Sequence, residues 1–154
     1  MSKIKLKYKL LNNNTNIPSY AHDDDAGIDL TATNIIKSNW HSVWYNTDIA
    51  IEIPKGYFGM LSPRSSISND GLLQYANSFG VIDSGFRGGM QVRCNRTAKG
   101  IFKYIFNKTD CQYNIGDKIG QLIIVPHASV VLEHHEDLSN SKRNTGGFGS
   151  TTKK

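Results

Sequence analysis

The sequence contains only two cysteines, no long apolar run, no internal repeat and no sustained helical period, and each absence removes a class of protein. Cys94 and Cys111 are too few for a disulfide framework and too far apart for a CxxC metal or redox site, so both are expected as reduced thiols. No stretch approaches the ~20 apolar residues of a membrane-spanning helix. The first residues alternate charge with apolar side chains where a signal peptide would hold a continuous apolar stretch. The expectation is an intracellular protein, cytoplasmic or nuclear, and in the host cell if its source is a virus.

The 154 residues suit one domain, long enough to bury about two-thirds of the surface its unfolded chain exposes. A formal charge of +5 and a pI near 9.2 suggest an anionic partner without deciding between nucleic acid and polyphosphate. Lys3, Lys5, Lys7 and Lys9 alternate along one segment and read as the solvated face of a strand.

Between those lysines Ile4, Leu6, Tyr8 and Leu10 form the other half of a period-2 pattern, and Ile49, Ile51 and Ile53 repeat it. Further short apolar or β-branched runs lie at Tyr57 to Leu61, Met90 to Cys94, Ile101 to Phe106, Ile119 to Val125 and Ser129 to Leu132. Turn signals separate them, including Pro54-Lys55-Gly56, Asn69-Asp70-Gly71 and Asn114-Ile115-Gly116-Asp117. This pattern predicts an all-β single domain, a jelly-roll-like sandwich or barrel over residues 1–138. At most one short helix is expected, just after Pro63, where Ser65 and Ser66 could cap a turn. Residues 139–154, rich in Gly, Ser, Thr, Asn and Lys, have no apolar face to bury and are expected as a flexible C-terminal arm. Phe148, alone among its glycines, suggests that this arm docks on something.

Three segments carry candidate chemistry. Pro63-Arg64-Ser65-Ser66 offers a guanidinium, two hydroxyls and backbone N–H groups suited to polyphosphate oxygens, although an isolated match of this kind is more often a surface turn. Gly80-Val81-Ile82-Asp83-Ser84-Gly85-Phe86-Arg87-Gly88 places an acid after an apolar run and before a Gly-rich turn with an aromatic. A hairpin of that form would hold a carboxylate and a ring at a pocket mouth, and Asp83 is equally readable as a turn former. Arg143-Asn144-Thr145-Gly146-Gly147-Phe148-Gly149-Ser150-Thr151 reads as a phosphate cradle with a stacking ring, or as a disordered tail.

These segments, with Ala26-Gly27-Ile28-Asp29-Leu30 and Gly116-Asp117-Lys118-Ile119-Gly120-Gln121-Leu122, resemble in order and spacing the five motifs of the homotrimeric dUTP diphosphatases. The resemblance spans Asp25 to Thr151. It implies hydrolysis of dUTP at the α-phosphorus to dUMP and pyrophosphate, which limits uracil incorporation into DNA and supplies dUMP for thymidylate synthesis. By the same resemblance Asp83 orients the attacking water, accepts its proton and bonds the deoxyribose 3′-hydroxyl, a task suited to a carboxylate. Phe86 stands where the family usually has Tyr and would pack on the deoxyribose, excluding a 2′-hydroxyl. Asn77 and the backbone of Gly80, Val81 and Ile82 would read the uracil edge, with Gln91 a further contact. Arg64, Ser65 and Ser66 would hold the phosphates, Arg64 countering the charge that develops, and Gln121 would lie near the α-phosphate.

Mg²⁺ is implied as cofactor, carried mainly by the substrate phosphates and water, with Asp29 touching it through water at most. His134 and His135, adjacent on an expected strand, would point to opposite faces and form no ligand pair. Phe148 would stack on uracil while Arg143, Gly149, Ser150 and Thr151 close over the β- and γ-phosphates of a neighbouring subunit in the trimer. Ser66 and Gly85 depart from the family's more usual Gly and Asp; the Ser66 side chain must point away from ligand, and Gly85 should loosen the hairpin turn.

Three other functions compete. A dCTP deaminase shares the fold and trimer but needs a catalytic acid beside the base, and no Glu stands near Asn77 or Asp83 to provide it. A non-catalytic nucleotide-sensing regulator would keep the pocket and signal through its arm. A nucleic-acid module rests on charge alone and lacks aromatics interleaved on a basic face.

Overall fold

The computed structural model describes residues 3–13, 15–69, 71–107 and 113–147. Period-2 alternation becomes ten strands among the described residues: β1 (Lys7–Leu10), β2 (Ile28–Thr31), β3 (Asn34–Ser38), β4 (Ser42–Asn46), β5 (Ile49–Glu52), β6 (Tyr57–Ser62), β7 (Leu73–Tyr75), β8 (Gly80–Ile82), β9 (Gln91–Arg96) and β10 (Lys118–Pro126). They form three antiparallel sheets, ordered β1-β5, β2-β10-β6-β8 and β3-β4-β9-β7. One core joins them, with Leu30 and Leu122 from the second sheet meeting Val43, Tyr45 and Val92 from the third and Ile49 from β5. Because inward residues alternate with outward ones, the mostly β architecture expected from the pattern is the one observed.

Three local expectations give way. The run Ile101 to Phe106 is not a strand but lies within the α-helix α1 (Ala98–Asn107). A short apolar run does not distinguish the two periods, and tertiary context decides here. The Thr97 hydroxyl accepts the Gly100 N–H at 3.2 Å and donates to the Gly71 carbonyl at 2.6 Å, so it caps the helix and ties it to the preceding loop. Gly100 lies against the Leu72 carbonyl, and any Cβ there would collide with it. The helix placed after Pro63 is a single 3₁₀ turn, Ser65–Ser68, whose N-cap is Arg64, without a side-chain cap. Ser129 to Leu132 belongs to no strand, with Val131 and Leu132 almost fully exposed. Cys111 lies outside the described residues.

Cys94 is 1 % exposed on β9, and burial pushes its thiol from an ordinary value of 9.0 up to about 12. The folded chain therefore keeps a proton that the unfolded chain loses, and stability present below pH 9 is lost as pH rises toward 12. Urea melts over that range are expected to show a declining unfolding free energy. In Cys94→Ala the decline should be shallower, by up to about 1.4 kcal/mol per pH unit.

Candidate functional site

Asp29 stands at the centre of β2, its backbone N–H donating to the Ser19 carbonyl at 3.0 Å and its Cα opposite Gln121 of β10. Its side chain is only 8 % exposed, so the carboxylate needs compensating charge. Two cations supply it. Arg64 Nε lies 3.1 Å from Oδ1, and Lys118 Nζ lies 2.7 Å from Oδ2. The Lys118 contact falls outside hydrogen-bond geometry, leaving Oδ2 buried without a directed donor, and it acts as a Coulombic pair.

Arg64 reaches Asp29 because β6 ends at Ser62 and the chain stays extended at Arg64, with φ −85° and ψ 154°, before the 3₁₀ turn. Pairing through Nε leaves the outer guanidinium nitrogens for another ligand. Gln121 is fixed from the same side, its amide donating to the Pro63 carbonyl at 3.1 Å. Gly27 makes room for that amide, since a Cβ there would run into it. Asp25, Gly27, Asp29, Arg64, Ser65 and Gln121 line one cleft of about 370 Å³.

Ser66 does not line this cleft. Its hydroxyl meets the Tyr113 phenol at 3.3 Å, and Tyr113 packs edge-on against Tyr45, 6.2 Å between ring centroids. Burial raises the Tyr113 phenol above its ordinary value, and the Ser66 bond lowers it in part. The side chain that replaces the usual Gly is thus absorbed by the core. Gly85, the other departure, sits where a Cβ would meet nothing.

The remaining expected residues lie elsewhere. β8 pairs with β6 at Gly59 to Leu61, so the backbone of Gly80, Val81 and Ile82 is separated from β10 by the width of β6, about 10 Å over two strand spacings. After it Asp83 is exposed, and its carbonyl accepts the Phe86 N–H at 3.0 Å. Arg87 Nη1 closes the turn on the Ser84 and Phe86 carbonyls at 2.7 and 2.8 Å. The Phe86 ring, 43 % exposed, lies over Gly88, and Asn77 donates to the Phe79 carbonyl at 3.0 Å. Gln91 opens β9 in an exposed position opposite Asn46. None of these lines the Asp29–Arg64 cleft of the single chain. Arg143 Nε donates to the Gly146 carbonyl at 2.9 Å within an exposed turn. Phe148, Gly149, Ser150 and Thr151 lie outside the described residues.

Among the described residues no group of three or more His, Cys, Asp or Glu side chains could hold a metal. His134 and His135 are exposed, His135 facing Glu133 at 3.6 Å. The cleft's acids are Asp25 and Asp29, and Asp29 is already committed to two cations. That donor set fits a Mg²⁺ ion that keeps its waters and takes its other ligands from phosphates. Sequence reasoning assigned no role to Lys118, Tyr113, Gly27 or Asp25. The signal for Lys118 was the buried charge of Asp29, which sequence alone does not display. Tyr113→Phe and Ser66→Gly should each lower the unfolding free energy by about 0.5–1.5 kcal/mol, with the double variant losing less than the sum in urea denaturation.

No helix is long and apolar enough to cross a membrane among the described residues. The dUTPase family model matches residues 13–152. The deoxyuridine 5'-triphosphate nucleotidohydrolase of Clostridium tetani is 37% identical over 155 residues, covering 99% of this chain and 100% of its own. Among solved structures, the Staphylococcus bacteriophage 80alpha dUTPase with dUPNHPP superposes at a TM-score of 0.77, with 27% identity over 97% of this chain and 99% of that one. A D95N mutant dUTPase from phage phi11 of S. aureus, described with a structural Mg(II) ion, matches at 0.70 with 29% identity over 87% and 98%. With the fold, the Arg64–Asp29–Gln121 cleft and these likenesses together, the chain belongs to the dUTPase family and is a dUTP diphosphatase.

Proposed function

We propose that the chain hydrolyses dUTP at the α-phosphorus in an active site assembled from three copies of itself. The observation that carries this reading is the separation of equipment within one chain. The cleft holds the Arg64 guanidinium, the Ser65 hydroxyl and the Gln121 amide, while the hairpin holds an exposed carboxylate, an exposed ring and the edge strand β8 outside that cleft. A second copy presenting its hairpin to the first copy's cleft would complete the set. The segment 127–145, exposed throughout, would then be available to neighbouring copies.

In this assembly Asp83 orients water on the α-phosphorus and takes its proton, and that oxygen forms the new P–O bond as the bond to the β-phosphate oxygen breaks. Arg64, Ser65 and Gln121 hold the phosphates, and the outer guanidinium nitrogens of Arg64 meet the charge that develops. Mg²⁺, when bound, neutralises charge on the triphosphate. Phe86 packs on the sugar, Asn77 and the strand backbone of Gly80 to Ile82 read uracil, and Gln91 adds a contact. The arm, through Arg143, Phe148, Gly149, Ser150 and Thr151, closes the site and excludes bulk water.

A regulatory reading has one observation behind it. α1 exposes Phe102, Ile105 and Phe106 by 62, 53 and 67 %, with the Phe102 and Phe106 ring centroids 4.4 Å apart. The 80alpha phage dUTPases are described as controlling transfer of virulence genes, and a helix face of this kind is where a protein partner would seat. Hydrolysis does not require that face.

Pyrophosphate release is expected from dUTP with Mg²⁺ and not from dCTP, dTTP or UTP. Asp83→Asn should lower it roughly 10²–10⁴-fold with the trimer intact by sedimentation. Full activity in Asp83→Asn would remove the carboxylate from its role, ammonia from dCTP would bring back the deaminase, and an active monomer would remove the shared site.

A further inference from the structure

We infer that Lys118 is a positioning residue for dUTP hydrolysis, placed by a β-bulge to hold Asp29 so that the Arg64 guanidinium stays turned toward the phosphates. The inference rests on the reading of Arg64 as a phosphate-holding residue.

The register of β10 against β2 carries the argument. Asp29 stands opposite Gln121 and Leu30 opposite Gly120, and then Thr31 stands opposite Lys118 rather than Ile119. One extra residue, Ile119, is therefore inserted on β10. Side chains alternate faces along a strand, and residues directly opposite share a face. Asp29 and Thr31 of β2 lie on one face, so Gln121 and Lys118 both join it. Without the bulge Ile119 would occupy that place and Lys118 would turn toward the core. Burial agrees: Ile119 is 1 % exposed, while the Lys118 side chain is 42 % exposed with its ammonium at Asp29. Bulges of this kind re-aim a side chain beside a site.

The bulge is pinned at three points. Gly116 opens β10 from a left-handed turn, φ +97°, with its N–H on the Ala32 carbonyl at 2.8 Å. The Tyr75 phenol donates to the carbonyl of Ile119 at 2.8 Å from the core side. Gly120 leaves room for that phenol, since a Cβ there would strike it. Three separate features thus hold Lys118 where it is.

The consequence follows from charge. Asp29 has two carboxylate oxygens and two cations, one on each. Arg64 meets one oxygen through Nε, so its outer nitrogens are not the atoms that contact Asp29 most closely. With Lys118 removed, Oδ2 would be buried with no cation, and the guanidinium is the nearest donor that can turn to take both oxygens. A bidentate pair uses the nitrogens that the phosphates need. Lys118 thus keeps Arg64 from being captured by its own anchor.

The test is steady-state hydrolysis of dUTP with Mg²⁺ by the full-length protein, in Lys118→Met, Lys118→Gln, Lys118→Arg, Asp29→Asn, Lys118→Met with Asp29→Asn, and Arg64→Ala. Thermal melts identify any variant that fails to fold, and the Gln variant then stands for Met. Lys118→Met should lose roughly tenfold in kcat/KM, mostly in kcat, with an unchanged melt, and Lys118→Arg should recover to within about threefold of the parent. In the Asp29→Asn background Lys118→Met should add nothing, because the two act through one contact. Parent-like kinetics in Lys118→Met and Lys118→Gln, beside a damaged Arg64→Ala, would overturn the inference alone. An equal loss with and without Asp29 would overturn it too, by showing that Lys118 acts on the nucleotide itself. An undamaged Arg64→Ala would overturn the reading of Arg64 and this inference with it.

Discussion

A single buried carboxylate sets the geometry of the cleft. Taking the Asp29 charge out of water is costly unless cations accompany it, and an ion pair of this kind is worth keeping only where its members are needed together. Arg64 comes from the loop after β6 and Lys118 from the start of β10, both on the same side of β2. The requirement to meet at Asp29 couples three strands, β2, β10 and β6, at one point of the second sheet. Gln121 is drawn into the same arrangement by its bond to Pro63, and Gly27 by the room that Gln121 takes up.

Around that point the core absorbs what would otherwise crowd the cleft. Tyr113 packs edge-on against Tyr45 behind the 3₁₀ turn, and the phenol of Tyr113 holds the Ser66 hydroxyl away from the cleft. A departure from the common motif is accommodated by a neighbour far away in sequence. The opposite edge of the same sheet carries the β8 hairpin, whose Asp83, Phe86 and Asn77 are exposed and face no part of the cleft in their own chain. Within one chain the width of β6 keeps the hairpin and the cleft apart.

Ile49, Ile51 and Ile53 alternate and are buried, as the pattern requires, and the apolar run at 119–125 lies in one of the two inner strands of its sheet. Ile101 to Phe106 has the same composition as a strand and is a helix, because Thr97 caps it and Gly100 lets it lie against Leu72. Arg64, Ser65 and Ser66 stand out in sequence as a set, yet only the fold places Ser65 on the cleft and Ser66 against Tyr113. Lys118 was legible as part of a motif and illegible as a charge partner of Asp29, because its face depends on a bulge that no spacing reveals.

The sequence by itself determined the family, the mostly β architecture, and the identity of the chemical groups, since order and spacing of five short segments survive without any knowledge of contacts. Tertiary structure alone decided which of those groups meet. A strand's facing reverses with a single inserted residue, and a buried charge selects its partners across distances in sequence that carry no periodic signal. The meeting of Arg64, Lys118 and Asp29 in one place, and the parting of Asp83 from them, are therefore properties of the fold and not of the motifs.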